Sequence, residues 1–295
     1  MSWALVLELI GLAPMLVLVA IIFWKKRQLD RDDRRDPILT ELRVLPAHSL
    51  RERLEKIDET RMDKLVYVII AGLLTALFIS ARRIDMSTHA WDWLDSFFIL
   101  AALAIAVYFG RQITREMPLQ RKCRQGVRAE QAVAQELASS LAGDNRIIHD
   151  IQCGDFNIDH VVVTPAGVFA IETKSRLKPP AGNGAPKVKY DGKTLDFGAW
   201  KESKPIEQAE RQARWLANYL RKETGEPLAV TAVLALPGWW IDRTARITPT
   251  MVQVINPKNS RWLLLPEKKA PVLDSPAIQR AANAIEKLAQ AAPVG

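Results

Sequence analysis

The sequence predicts an α/β domain preceded by three transmembrane α-helices, and three observations predict it. Trp3–Trp24, Leu65–Ala81 and Leu94–Gly110 are apolar for close to the length that a hydrocarbon core of about 30 Å requires of a helix. Past residue 125 the chain changes to short β-branched runs between Pro- and Gly-bearing turns, flanked by segments of helical period. One pair of these runs, Asn157–Lys174 (NIDHVVVTPAGVFAIETK), carries acids and a lysine inside otherwise apolar strands.

The first span, within residues 1–24, opens without a basic side chain and is followed by Lys25-Lys26-Arg27. That charge order suits an uncleaved anchor with its N-terminus outside rather than a signal peptide. Trp3, Trp24, Trp91 and Trp93 stand at predicted span ends, where aromatic belts form. Residues 25–64 read as a charged connector with a weak helical stripe of Leu50, Leu54 and Ile57, and 65–110 as a transmembrane hairpin whose short turn holds Arg82 and Arg83. Residues 111–124 form a basic juxtamembrane linker. The Lys and Arg excess places the connector and everything after Gly110 in the cytoplasm, as a multi-pass protein of the cell membrane. A set of buried core helices would give the same apolar runs, and Glu8, Pro14 and Asp95 interrupt or border them.

The net charge of +8 is therefore partly a topology signal. The cluster Arg111, Arg115, Arg121, Lys122, Arg124 and Arg128 suits either anionic lipid or nucleic acid. Two cysteines, Cys123 and Cys153, have no metal-ligand spacing and form no disulfide framework, which fits a reducing compartment.

In order, the domain of residues 125–270 begins with a helix from Gln125 to Leu141 striped by Val127, Val133, Ala134, Leu137 and Leu141. Glu130 falls on that stripe, either as a buried site acid or as an edge residue with its carboxylate in solvent. Arg146–Cys153 reads as a strand, Gly154-Asp155 as a turn, and Ser175–Lys189 as a flexible basic loop. Tyr190–Gly198 reads as a small hairpin turning at Asp191-Gly192. Pro205–Lys222 is a helix with Ile206, Ala209, Ala213, Leu216 and Leu220 as its core stripe and Gln208 and Gln212 off it. Leu228–Leu236 and Met251–Ile255 read as strands and Trp262–Leu265 as a short apolar run. Ser275-Pro276 caps a helix in the C-terminal segment, residues 271–295, and Trp239-Trp240 fits core, surface or stacking platform equally.

With Pro165 and Ala166 as a two-residue turn, Thr164 faces Gly167, and counting outward sets Asp159 opposite Glu172 with Lys174 two residues along the same face. Like charges opposed across an antiparallel pair repel. A shared divalent cation and the neighbouring lysine would offset that repulsion. An amphipathic pair with Asp159 and Lys174 facing solvent, or a bulge that slips the register, fits the same letters. His160 alternates to the other face and reads as structural.

Gly126-Val-Arg-Ala-Glu130, Asp159-His-Val-Val-Val, Gly167-Val-Phe-Ala-Ile-Glu172-Thr-Lys174 and Pro205–Gln208 together resemble the nuclease-related domain (NERD), itself similar to the restriction-endonuclease-like PD-(D/E)XK superfamily. The resemblance covers roughly Gln125–Leu236. It implies a restriction-endonuclease-like mixed sheet flanked by helices, and metal-dependent hydrolysis of phosphodiester bonds in DNA or RNA. Carried over by position, Asp159 and Glu172 match metal-binding acids for Mg²⁺ or Mn²⁺, Lys174 the catalytic lysine, Glu130 the acid of the first helix and Gln208 the glutamine of the later helix. Asn157-Ile158 stands where restriction enzymes often carry a proline, and Ala129 where the family often has glycine. The resemblance leaves two function classes: a membrane-tethered nuclease, or a non-catalytic module holding nucleic acid or a protein partner on the same fold.

Overall fold

A computed structural model describes residues 13, 16–25, 27–28, 46–82, 92–140, 145–179, 186–259 and 273–290. The chain forms two compact units, Met1–Asp33 with Glu52–Cys123, and Arg34–Arg51 with Arg124–Gly295.

The first unit is helical. It contains α1 (Leu16–Lys25) and the apolar parts of α2 (His48–Arg82) and α3 (Trp93–Ser140). Among the described residues two helices, α2 and α3, are long and apolar enough to cross a membrane, not the three expected. Only 28% and 22% of their most apolar stretches are buried, the reverse of a soluble core helix. At 1.5 Å per residue α1 spans about 15 Å, half a bilayer core. The rest of Trp3–Trp24 and residues 29–45 of the connector lie outside the described residues. The boundaries expected at residues 64 and 110 are not breaks: α2 and α3 run straight through them, and the basic run 111–124 is helical. Its Arg, Gln, Glu and Leu content favours helix, and Pro118 is accommodated within it. Leu18, Val68, Ala106 and Ile113 form the interior of this unit, and Lys64 pairs with Glu116 at 2.5 Å.

The second unit is α/β. Its strands are β1 (Arg146–Gln152), β2 (Asn157–Thr164), β3 (Gly167–Thr173), β4 (Lys187–Tyr190), β5 (Leu195–Asp196), β6 (Lys201–Glu202), β7 (Val230–Ala235), β8 (Trp240–Arg243) and β9 (Gln253–Ile255). Helix α4 (Lys204–Thr224) lies between β6 and β7, and α5 (Ser275–Gln290) follows β9. The main sheet has the order β1-β2-β3-β7-β9, antiparallel through β3 and parallel beyond it. Period-two alternation sorts its side chains between two apolar layers. Val161, Val163, Val168 and Ala170 pack with Ala213, Leu216 and Leu220 of α4 and Ile278, Ala281 and Ile285 of α5. Val162, Phe169, Ile171 and Val233 pack with Val133 and Leu137 of α3 on the other face. The mixed sheet flanked by helices is thus as the sequence predicts.

A second sheet, β6-β5-β4-β8, was not anticipated. Val188, Tyr190 and Leu195 join Ile206 and Ala209 of α4 and Leu234 and Val254 of the main sheet in a third apolar cluster. The turn at Asp191-Gly192 forms as expected, with Asp191 Oδ1 accepting from the Lys193 and Thr194 N–H groups at 2.9 and 2.7 Å. The expected flexible basic loop is shorter than read, because Lys187–Lys189 belong to β4 and Arg176 is held bidentately by Glu202 at 2.7 and 2.8 Å. Residues 180–185 of that loop, and Trp262–Leu265, lie outside the described residues. Trp239 is buried and Trp240 is exposed, which separates two neighbours that the sequence left undecided. Helix α4 has Pro205 in its first turn and ends at Gly225 in the left-handed region, φ 75°. In α5 the cap is Asp274, whose Oδ1 accepts from Ala277 N–H at 2.8 Å, rather than Ser275.

Candidate functional site

The hairpin has the register expected of a Pro165-Ala166 turn: Thr164 pairs with Gly167, Val163 with Val168, and so on to His160 with Ile171. One step further, Asp159 and Glu172 lie across from each other on the face toward α4. There the ladder stops, and the Thr173 N–H donates instead to Asp159 Oδ2 at 2.6 Å. Lys174 Nζ reaches back along the same strand to an ion pair with Glu172 Oε1. Asp159 and Glu172 are both buried, so the solvent-facing and slipped-register readings fail.

Burial, then the charges of Glu172 and Glu130, push the Asp159 carboxyl well above the ordinary carboxylate range, against the pull of the Thr173 N–H and Lys174. Glu130 enters from α3, one turn before Val133, and is buried rather than turned to solvent. Burial, followed by the charges of Asp150 and Glu172, raises its pKa to about 8. The three acids therefore share one electrostatic environment in which ionising one opposes ionising the next.

Gln208 does not join this group: it is half-buried, and among the described residues no hydrogen bond links it to the acids. Gln212, one turn later, does. It is 1% exposed, and its Nε2 donates to Glu172 Oε2 at 2.5 Å and to the Asn157 carbonyl at 2.9 Å. The helical period held the signal, since Gln212 lies three residues after Ala209 and four before Leu216, both on the core stripe.

Asp150 is the second residue that sequence reasoning missed. Its neighbours pair as His149 with His160 and Ile151 with Ile158, so its register position faces Asp159. Its backbone is left-handed there, φ 50°, uncommon for a residue with a side chain. The carboxylate accepts from Asn157 Nδ2 at 2.8 Å, and from Ser49 N–H and Oγ at 2.7 and 3.1 Å. Nothing local in the sequence announces this.

His149 and His160 pair through their Nδ1 atoms at 2.7 Å on the α3 side, and burial holds both below the usual histidine range. Cys123 and Cys153 are buried free thiols.

Among the described residues no three His, Cys, Asp or Glu side chains make a ready-formed metal cluster. The donor chemistry nonetheless fits a hard divalent cation, which takes oxygen ligands. Besides the Asp159 and Glu172 carboxylates, Glu130 Oε2 and Gln212 Oε1 are buried oxygens without a hydrogen-bond partner.

Compared with known families, residues 125–237 match the family model described as the nuclease-related domain. No curated protein and no solved structure matches the chain.

Proposed function

We propose that the nuclease-related domain at residues 125–237 is a metal-dependent nuclease hydrolysing phosphodiester bonds of DNA or RNA, tethered to a membrane by α2 and α3. The observation that carries the reading is the buried pair Asp159 and Glu172 at one end of β2 and β3, with the half-buried Lys174 paired to Glu172 beside them. Two opposed acids are costly in a sheet interior unless a cation or a proton offsets them.

In this reading Asp159 and Glu172 would hold Mg²⁺ or Mn²⁺, which when bound supplies Lewis-acid charge opposite the phosphoryl oxygens. Hydrolysis makes a bond from a water oxygen to phosphorus and breaks a P–O ester bond, whose electron pair leaves with the departing oxygen. Lys174 carries its charge beside the acids, where it can orient the water or offset the charge growing on the phosphoryl oxygens. Glu130, buried beside these acids with Oε2 unbonded, would add a third oxygen to the cation's surroundings, and the departing oxygen takes up the proton that the attacking water loses. In this reading the glutamine of α4 that serves the site is Gln212, which donates to Glu172, rather than Gln208.

The second reading is a non-catalytic module that holds nucleic acid or a protein partner. It is favoured by the saturation of Glu172, whose two oxygens are already engaged by Lys174 and Gln212. Cleavage of labelled DNA and RNA by the full chain in detergent separates the two. The nuclease reading expects Mg²⁺- or Mn²⁺-dependent cleavage that chelator and Asp159→Asn both abolish; binding without cleavage under every divalent cation favours the module.

A further inference from the structure

The acids do not hold their own arrangement. Glu172 is turned by Gln212, and Gln212 by a second acceptor, the Asn157 carbonyl at the start of β2. Asn157 is in turn fixed by its side-chain amide on Asp150 Oδ1. Asp150 adopts a left-handed backbone at the position facing Asp159, where a third carboxylate in line would repel the other two. Its two oxygens instead take the N–H and hydroxyl of Ser49 in the first turn of α2, an end whose N–H groups lack helical partners. The segment around Ser49 is seated and not merely passing. Pro46 and Ala47 are buried, and Leu50 Cδ1 lies 2.9 Å from where a Cβ on Gly126 would stand, so the Leu50 side chain packs closely over the Gly126 backbone.

We propose that Gln212 and Asp150 are positioning residues for Glu172, and that residues 46–51 complete the site through the chain Ser49–Asp150–Asn157–Gln212–Glu172. Two features independent of the distances support it. The strained backbone at Asp150 is retained where an extended one would aim the carboxylate at Asp159. The buried amide of Gln212 is kept on an otherwise apolar helix face, where a hydrophobic residue would pack without polar cost. The inference rests on the metal-dependent reading above.

The test uses the full chain in detergent, with Mg²⁺ titrated against melting temperature and, separately, kcat and KM measured on a labelled oligonucleotide. Removing partners that orient metal ligands costs about 10- to 100-fold in metal affinity or activity. Gln212→Leu and Asp150→Ala are therefore expected to raise the Mg²⁺ midpoint by about tenfold or more and to lower kcat similarly, with KM for the oligonucleotide unchanged. Asp150→Asn, which tolerates the left-handed backbone and can keep its one oxygen for Asn157 Nδ2 and Ser49 Oγ while losing the Ser49 N–H, should restore part of both. Ser49→Ala removes a single hydroxyl and should shift the midpoint in the same direction by less, and it keeps the proposal testable if Asp150→Ala does not fold. A lowered metal-free melting temperature with unchanged midpoint and kcat would make these residues packing elements and overturn the proposal alone. Wild type that neither responds to Mg²⁺ nor cleaves overturns the nuclease reading and this inference with it.

Discussion

The Thr173 N–H donates to Asp159 Oδ2 at 2.6 Å, one residue beyond His160 on β2 and two beyond Ile171 on β3, the last registered pair of the ladder. The bond ties the acid of one strand to the backbone of the next and leaves it buried opposite Glu172 with no room for both to ionise cheaply.

Asp159→Asn should remove the repulsion together with a ligand. Its side-chain oxygen can still accept from Thr173, so the metal-free protein is expected to melt no lower than wild type. The Mg²⁺- or Mn²⁺-induced rise should vanish; in wild type it amounts to about 2.7 kcal/mol with the ion at a hundred times its dissociation constant. A retained metal response in the variant would place the cation elsewhere.

Lys174→Ala should behave differently, because lysine is not a metal ligand. Cleavage is expected to fall to background while the metal-induced rise in melting temperature persists. The metal-free protein should lose stability, since Glu172 then keeps Gln212 but loses its counter-charge. Loss of the metal response here would mean that Lys174 holds the ligand geometry and not the reaction.

Glu130 gives a pH signature whose sign is fixed by its raised pKa. Between 4.5 and about 8 the folded chain holds a proton that the unfolded chain has released, so stability is fully present below 4.5 and is lost as pH rises through about 8. The raised pKa of Asp159 acts in the same direction. In chelator, Glu130→Gln should therefore flatten the decline of melting temperature between pH 4.5 and about 8. Equal slopes in the two proteins would show that Glu130 is already ionised in the metal-free site.

The histidine pair acts on the opposite limb. Burial first, and for His160 the charge of His149 next, holds it well below the ordinary value of 6.5, so the unfolded chain gains protons there that the folded chain does not. Stability is present above that pH and is lost as pH falls below it. His160→Leu should remove most of this acid sensitivity, measured as melting temperature between pH 5 and about 7 in the full chain.

The loop charges lead us to propose that α2 and α3 cross the membrane as a hairpin, with residues 25–64 and the nuclease-related domain both in the cytoplasm. Reporter fusions after residue 45 and after residue 200 should score as cytoplasmic, and one between Arg83 and Trp91 as external. An external signal after residue 200 would invert the orientation.

What the sequence determined by itself was what repeats locally. Period two and the Pro165-Ala166 turn set the β2–β3 register, and with it the facing acids and Lys174. The 3.6-residue period marked the buried stripes of α3 and α4, and four ordered motifs matched the nuclease-related domain. The tertiary structure decided whatever joins residues far apart in the chain. Ser49 meets Asp150 across 101 positions, and Gln212 reaches Asn157 across 55 and Glu172 across 40. Such bonds have no local period: the helical spacing set Gln212 beside the core stripe, but only laying α4 on the sheet brought its amide to Glu172. The same holds for the left-handed Asp150, whose conformation is stabilised by partners on other segments. It also holds for β4, β6 and β8, strands of two to four residues whose pairing, rather than their own propensity, makes them strands.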